Sequence, residues 1–376
     1  MSNTRRHAAC LAFGLCLITL AVNLQAPLYT AYAELSGYGA AATASAFSGY
    51  VLGVLPVLLV LGGLSDRIGR KPPIVVALLL SMVATLVMAL WPRLEALGVG
   101  ERSTVALCPS LPFGMFERLR QQAPGRNFVS AAPLIDQGRM RKSAEELALM
   151  QRAKDMTLEV QKAAASILRE GISTTEVAEF IHQAHRKVGA PGSTFCIVLF
   201  GAASAFPHGV KHAQVLKDGD MVLIDTGCQV HGYQSDITRS YVFGTPSARQ
   251  REFWGMERDA QLAAFEAARL GQPCEAVDAA ARRSLEANGL GPDYRLPGLP
   301  HRTGHGIGMD VHEGPYLVRG DRTPLDVGMC FSNEPMICVP GEFGIRLEDH
   351  FYMTKEGPRW FTQPSPSIDD PFGLGG

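Results

Sequence analysis

Three apolar stretches open the chain, at about 8–24, 45–64 and 73–91, and none of them carries an Asp, Glu, Lys or Arg. Each approaches the roughly 20 residues that a bilayer-crossing helix needs. Buried helices of a soluble core are shorter and keep a polar face, and a cleaved leader accounts for one such run but not three. Residues 1–95 are therefore expected to form three transmembrane helices. From Arg93 the pattern changes. Residues 96–140 read as irregular, with proline, glycine and short apolar pieces such as TVALCPSLPF. A capping box at Ser143 and Glu146 then opens a long helix. Leu147, Met150, Ala153, Val160, Ala164 and Ile167 line one of its faces, and Gly171 is expected to end it. STTE opens a second helix, burying Val177, Phe180 and Ile181, and FCIVLFG reads as a strand. MVLIDTG and SDITRSYVF form a hairpin, helices follow at about 248–270 and 276–288, and a glycine-rich stretch, GHGIGMDVHEGP, comes next. The tail PSPSIDDPFGLGG is expected to be a mobile end. Helices and paired strands together mark a soluble domain, and the class expected is α+β.

Composition adds limits. Lysines and arginines (35) nearly balance aspartates and glutamates (36), so no overall field favours nucleic acid as a partner. The eight cysteines are scattered, with no CxxC pair, and read as reduced thiols rather than a disulfide framework.

Between the second and third apolar runs stands GGLSDRIGRKP, Gly62 to Pro72. It resembles the loop joining the second and third helices of major facilitator transporters, matching at Gly62, Leu64, Asp66, Arg67, Gly69, Arg70 and Lys71. The resemblance stops near residue 92. Three helices cannot enclose a site that such transporters build between two halves of paired repeats. The segment therefore reads as a transporter fragment that ties the chain to a membrane.

The hairpin poses a different question. Asp225 ends an apolar strand, and Asp236 opens its partner eleven positions later. Glu334 sits between an apolar run and a proline in CFSNEPMICV, and Glu348 interrupts the alternation of FGIRLEDHFYMT. His301, His305 and His312 crowd HRTGHGIGMDVHEGP. Inward acids need a compensating positive charge, which a metal centre would supply. Two aspartates, two glutamates and a histidine form an oxygen-rich set suited to two divalent ions. Manganese fits best, with cobalt, iron or zinc as alternatives.

Here the residues resemble a known family. From about Arg139 to Lys355, the motifs VLIDTGCQVHGYQSDITR, HRTGHGIGMDVHEGP, SNEP and GIRLEDH are similar, in family order, to those of the pita-bread metallopeptidases. The resemblance is strongest to Xaa-Pro dipeptidases (prolidases) and Xaa-Pro aminopeptidases. It implies a pita-bread domain at 141–376 that cleaves the bond before proline in Xaa-Pro dipeptides or short peptides with proline second. It implies that Asp225 holds one metal, that His305 and Glu334 hold the other, and that Asp236 and Glu348 bridge them. It also implies that Glu334 moves a proton, that His312 contacts the scissile carbonyl and that His208 faces the substrate. Arg346 matches an arginine near the bridging glutamate. His231, in the hairpin turn, is expected to be solvent-exposed.

Peptidases of this kind carry a further N-terminal domain, of which 96–140 is expected to be a linker or remnant; its loss weakens the expectation of a homodimer. The cations of MSNTRR and DRIGRK favour the cytoplasm and would put the peptidase on the outer side. A gene fusion, a deletion product or a misassembled reading frame explains that join better than an evolved membrane-tethered enzyme does, with a cytoplasmic peptidase core as the alternative location. Two further readings stand beside the peptidase. A metal-free pita-bread hydrolase or noncatalytic binding module would lose the ligands, and a transporter fragment has support only from the first 92 residues.

Overall fold

The structure, a computed structural model, describes residues 103–374. The three expected membrane helices and the transporter-like loop lie outside the described residues. Among those described, no helix is long and apolar enough to cross a membrane. The chain divides into two compact units, Met1–Ser130 and Ala131–Gly376.

In the first unit, β1 (Thr104–Leu107) and β2 (Asn127–Ser130) pair in parallel through α1 (Phe113–Gln122). Phe116 of α1 meets Phe128 of β2 edge-on, with ring centroids 6.0 Å apart. This corrects the expectation of an irregular segment. Neither four-residue strand has a fully buried position to mark it as core, and α1 starts without a side-chain cap.

The second unit begins with α2 (Ala132–Arg139), α3 (Ala144–Ser166) and α4 (Thr174–Lys187). Strand β3 (Phe195–Phe200), a 3₁₀ turn (Gly201–Ala205), β4 (Met221–Gly227), the small hairpin β5 (Gln229–Val230) and β6 (Tyr233–Gln234), and β7 (Ile237–Val242) follow. Next come α5 (Ala248–Ala267), α6 (Cys274–Ala287), β8 (Gly304–Gly306), β9 (Glu313–Leu317), β10 (Cys330–Asn333) and β11 (Met336–Val339). The last strands are β12 (Phe343–Arg346), β13 (Asp349–Thr354) and β14 (Gly357–Trp360). One antiparallel sheet has the order β3-β4-β7, another β14-β13-β10-β8-β9, and β11 pairs with β12.

Helices cover these sheets in pairs. Val160 of α3 and Ile181 of α4 pack with Val198, Val222 and Ile224 of the first sheet. Ala264 of α5 and Val277 of α6 join Phe331 and Phe351 of the second. Ser143, Ser173 and Ser247 each close a capping box, so α3, α4 and α5 begin with their first amides satisfied. Helix α3 ends at Ser166 rather than running on to Gly171. The intervening residues turn, and the Gly171 amide bonds the Leu216 carbonyl at 2.9 Å instead.

The expected mobile tail is packed as far as it is described. Ser365 and Ile368 are buried, Phe372 stands edge-on to Tyr241, and Arg251 grips the Asp369 carboxylate.

One ion pair ties both sheets together. Arg239 of β7 meets Asp349 of β13 at 2.8 Å, with both side chains at most 1% exposed. The same guanidinium donates to the carbonyls of Thr238 and Glu348, and the Thr362 hydroxyl donates to Asp349. Arg239→Met is expected to leave a buried, uncompensated carboxylate and to lower stability by about 3–5 kcal/mol. Thermal unfolding followed by circular dichroism checks this, and an unchanged midpoint would show that the pair is dispensable.

Candidate metal centre

Register explains why acids from separate strands meet. Ile224 and Val222 of β4 face the α3–α4 cluster, whereas Leu223 and Met221 face the other core. With period two, Asp225 shares the face of Leu223. Thr238 of β7 lies directly across from Asp225, and Asp236, two residues before Thr238, falls on that same face. Segment 346–348 then runs beside β7. The Arg346 amide bonds the Ser240 hydroxyl, the Glu348 amide bonds the Thr238 carbonyl, and the Thr238 hydroxyl donates to Glu348 Oε2 at 2.6 Å.

His305 arrives on β8, between β10 and β9. A side chain on Gly304 would sit 2.1 Å from the Ser332 carbonyl oxygen, and one on Gly306 would sit 2.5 Å from that of Glu313. Only glycines allow this approach. Ser332 Oγ accepts from the His305 amide and donates to Glu334 Oε1, so a single hydroxyl positions both residues. The loop after β8 is held by Lys142 and Arg139, which grip the two oxygens of Glu313 at 2.5 and 2.7 Å.

Asp225, Asp236, His305 and Glu348 are all at most 6% exposed. Burial, and then the neighbouring carboxylates, push Asp236 and Glu348 well above the usual carboxylate range. Burial works against Glu334 as well, but His305 and Arg346 outweigh it and hold that carboxyl well below the usual range. Arg346 is buried too, yet Asp225, Glu334, Glu348 and Asp236 keep it firmly cationic. Its guanidinium binds Asp225 Oδ2 and Thr238 Oγ1.

Several atoms in the pocket have no hydrogen-bond partner: Asp225 Oδ1, Asp236 Oδ1, Glu348 Oε1 and His305 Nε2. His305 Nδ1 is engaged with the Gly306 carbonyl at 3.0 Å, which leaves the Nε2 lone pair directed inward. That nitrogen lies 3.1 Å from Glu334 Oε1 and 3.7 Å from Asp236 Oδ2. A lone pair facing carboxylate oxygens, with buried oxygens unpaired, is the environment a cation relieves. Donor atoms lie within 4.8 Å of one another in three sets: Asp236–His305–His312, Asp236–Glu348–His350 and His305–Glu334–Glu348. The residues fit a divalent centre, although Asp225 falls outside these sets and is drawn instead to Arg346.

The other predicted positions separate. The His312 ring meets His305 edge-on at 4.2 Å between centroids. Partial burial, His305 and the Arg302 cation hold its pKa at about 4. His208 is exposed, near His301 and His312, and Arg346 bonds the neighbouring Pro207 carbonyl. His301 is turned toward the Arg302 carbonyl, with burial holding its pKa at about 4. His231 is exposed in its turn, as expected. One residue at the pocket was not foreseen. His350 is fully buried, and its Nε2 lies 3.6 Å from Glu348 Oε1. Its spacing from Glu348 was the available signal, because residues two apart in a strand share a face.

Known proteins resemble this chain in sequence and fold. Residues 148–355 match the family described as metallopeptidase family M24. A Xaa-Pro dipeptidase of Pyrococcus horikoshii is 34% identical over 255 residues, covering 68% of this chain and 71% of that protein. The prolidase structure from Pyrococcus furiosus superposes with a TM-score of 0.65 at 32% identity, covering 70% of this chain and 77% of that one. An X-Pro aminopeptidase structure from Thermotoga maritima gives 0.65 at 30%, covering 72% and 75%. The pita-bread fold expected from the sequence is borne out. With its family motifs spread over both sheets and its acids gathered in one pocket, the chain belongs to metallopeptidase family M24.

Proposed function

We propose that the chain hydrolyses the peptide bond before proline, in Xaa-Pro dipeptides or short peptides with proline second. In this reading Asp225, Asp236, His305, Glu334 and Glu348 would hold two divalent ions. The observation that carries it is the set of unpartnered, buried carboxylate oxygens around the His305 lone pair. Similarity to a Xaa-Pro dipeptidase, a prolidase and an X-Pro aminopeptidase supports the substrate class. An oxygen-rich donor set favours manganese over a structural zinc. A metal-free hydrolase or binding module is disfavoured because every residue of the predicted ligand set is present.

The ions would supply Lewis acidity that acidifies a water and polarises the scissile carbonyl. Glu334, ionised and held by Ser332, accepts the proton of the attacking water and passes it to the leaving nitrogen. His312 is neutral at physiological pH and offers an N–H to the carbonyl oxygen as charge develops there. His208 would face the substrate, and Arg346 fixes Asp225. A bond to proline is a tertiary amide without an N–H, so pocket shape must select it.

We read residues 141–376 as the catalytic domain, 96–140 as a remnant or linker, and 1–95 as a fused transporter-like segment. That segment would carry the core to a membrane; without it the core would be cytoplasmic.

The decisive assay compares Xaa-Pro dipeptides, longer X-Pro peptides and Xaa-Ala dipeptides while bound metal is counted. A chain that carries two ions and cleaves no proline substrate would sink the reading. Asp236→Asn is expected to lower both metal retention and turnover. His312→Ala should keep the metal and lose about 10²–10³-fold in kcat with little change in KM. The raised Asp236 and Glu348 carboxyls bind protons in the folded state that the unfolded chain has released. Metal-free stability from these groups therefore falls as pH rises through their folded pKa values. A bound cation removes that cost. The midpoint gain from added Mn2+ should thus grow as pH rises above the usual carboxylate range, and a pH-independent gain in differential scanning fluorimetry would count against these ligands. Finally, a chain lacking residues 1–92 should keep its metal-dependent activity; activity that returns only with those residues would argue for an obligate membrane enzyme.

A further inference from the structure

His350 stands outside the predicted ligand set, yet its surroundings ask for the same explanation. It follows Glu348 by two residues at the start of β13, so the two side chains share a face. Asp349, between them, points the other way into its pair with Arg239. The His350 ring is fully buried, and neither nitrogen has a hydrogen-bond partner. Its Nε2 lies 3.6 Å from Glu348 Oε1, an oxygen that is itself unpartnered. A donor atom of His350 lies within 4.8 Å of a carboxylate oxygen of Asp236 and one of Glu348. Leaving a buried imidazole and two buried oxygens unpaired is costly, because each has lost water and gained nothing. A cation among the three would satisfy them together.

We propose that His350 is an additional nitrogen ligand for one of the two ions, completing a site with Asp236 and Glu348. The proposal rests on the binuclear reading above and changes its chemistry. Each ion would then see one imidazole, from His305 at one position and from His350 at the other. Imidazole suits cobalt, iron and zinc, whereas carboxylate alone favours manganese. His350 would therefore make the bridged pair more nitrogen-rich than an all-carboxylate position and would narrow the preference for Mn2+.

Full-length chain, stripped of metal, is titrated with Co2+ and separately with Mn2+ against a chromophoric chelator, and the Co2+ visible spectrum is recorded. His350→Leu and His350→Gln both remove the imidazole, one without and one with polar atoms; thermal unfolding of each metal-free variant reports folding. In both, one of the two Co2+ sites is expected to weaken by about 10–100-fold or more, with Mn2+ affected less and the Co2+ bands shifted. Wild-type affinity and an unchanged spectrum in either folded variant would overturn the proposal, leaving His350 as packing only. His305→Ala is the control that separates the two readings. If it loses an ion while the His350 variants do not, the binuclear centre stands and this inference fails. If wild-type chain takes up no Co2+ or Mn2+, both fail.

Discussion

Like charge is the constraint on which this domain turns. Two unit charges about 4 Å apart cost about 4 kcal/mol at an effective dielectric of 20, and more as water is excluded. Asp225, Asp236, Glu334 and Glu348 crowd a pocket from which water is largely excluded. The chain's own cations do not balance them. Arg346 takes Asp225, while Asp236 and Glu348 are left to hold protons or to receive a metal. The pocket is thus unfinished by its own protein groups, and that deficit is what makes it a candidate cation site.

Supporting such a pocket requires a frame that does not relax. The frame here lies one residue out of phase with the site. Along β7, Thr238 and Ser240 face the pocket side and hold the Glu348 carboxylate and the Arg346 backbone. Arg239, between them, grips Asp349 and the Glu348 carbonyl. Odd and even positions of one strand therefore do different work. Mutating the frame should register in stability, and mutating the pocket in metal and turnover, even where the residues are adjacent.

This division also explains what could be seen in the sequence. An acid at the end of VLID or within IRLED is locally anomalous, so Asp225 and Glu348 announce themselves. His350 alone does not, because one histidine in a strand breaks no pattern; only its two-residue spacing from Glu348 marks it. Glu257 was hidden for the opposite reason. It sits among charged neighbours on α5 and reads as a surface acid, yet it is fully buried, and burial pushes its carboxyl well above the usual range. The tail misled through composition. Its prolines, serines and glycines look mobile, but Ile368 and Phe372 are enough to anchor it. The capped helices were legible because Ser143, Ser173 and Ser247 carry local signals independent of tertiary context. The strands at 104–107 and 127–130 carried no such signal.

The glycines flanking His305 have a consequence for how this protein can change. A methyl group at Gly304 would lie far inside contact distance of a neighbouring backbone, as would one at Gly306, and backbone cannot swing aside as a side chain can. No single substitution at either position leaves the histidine where it stands. The sequences open to this chain therefore form separated islands rather than a continuous slope. Drift is free on the exposed faces of the helices, but the strand that carries His305 can be altered only by moves that also reshape β9 or β10.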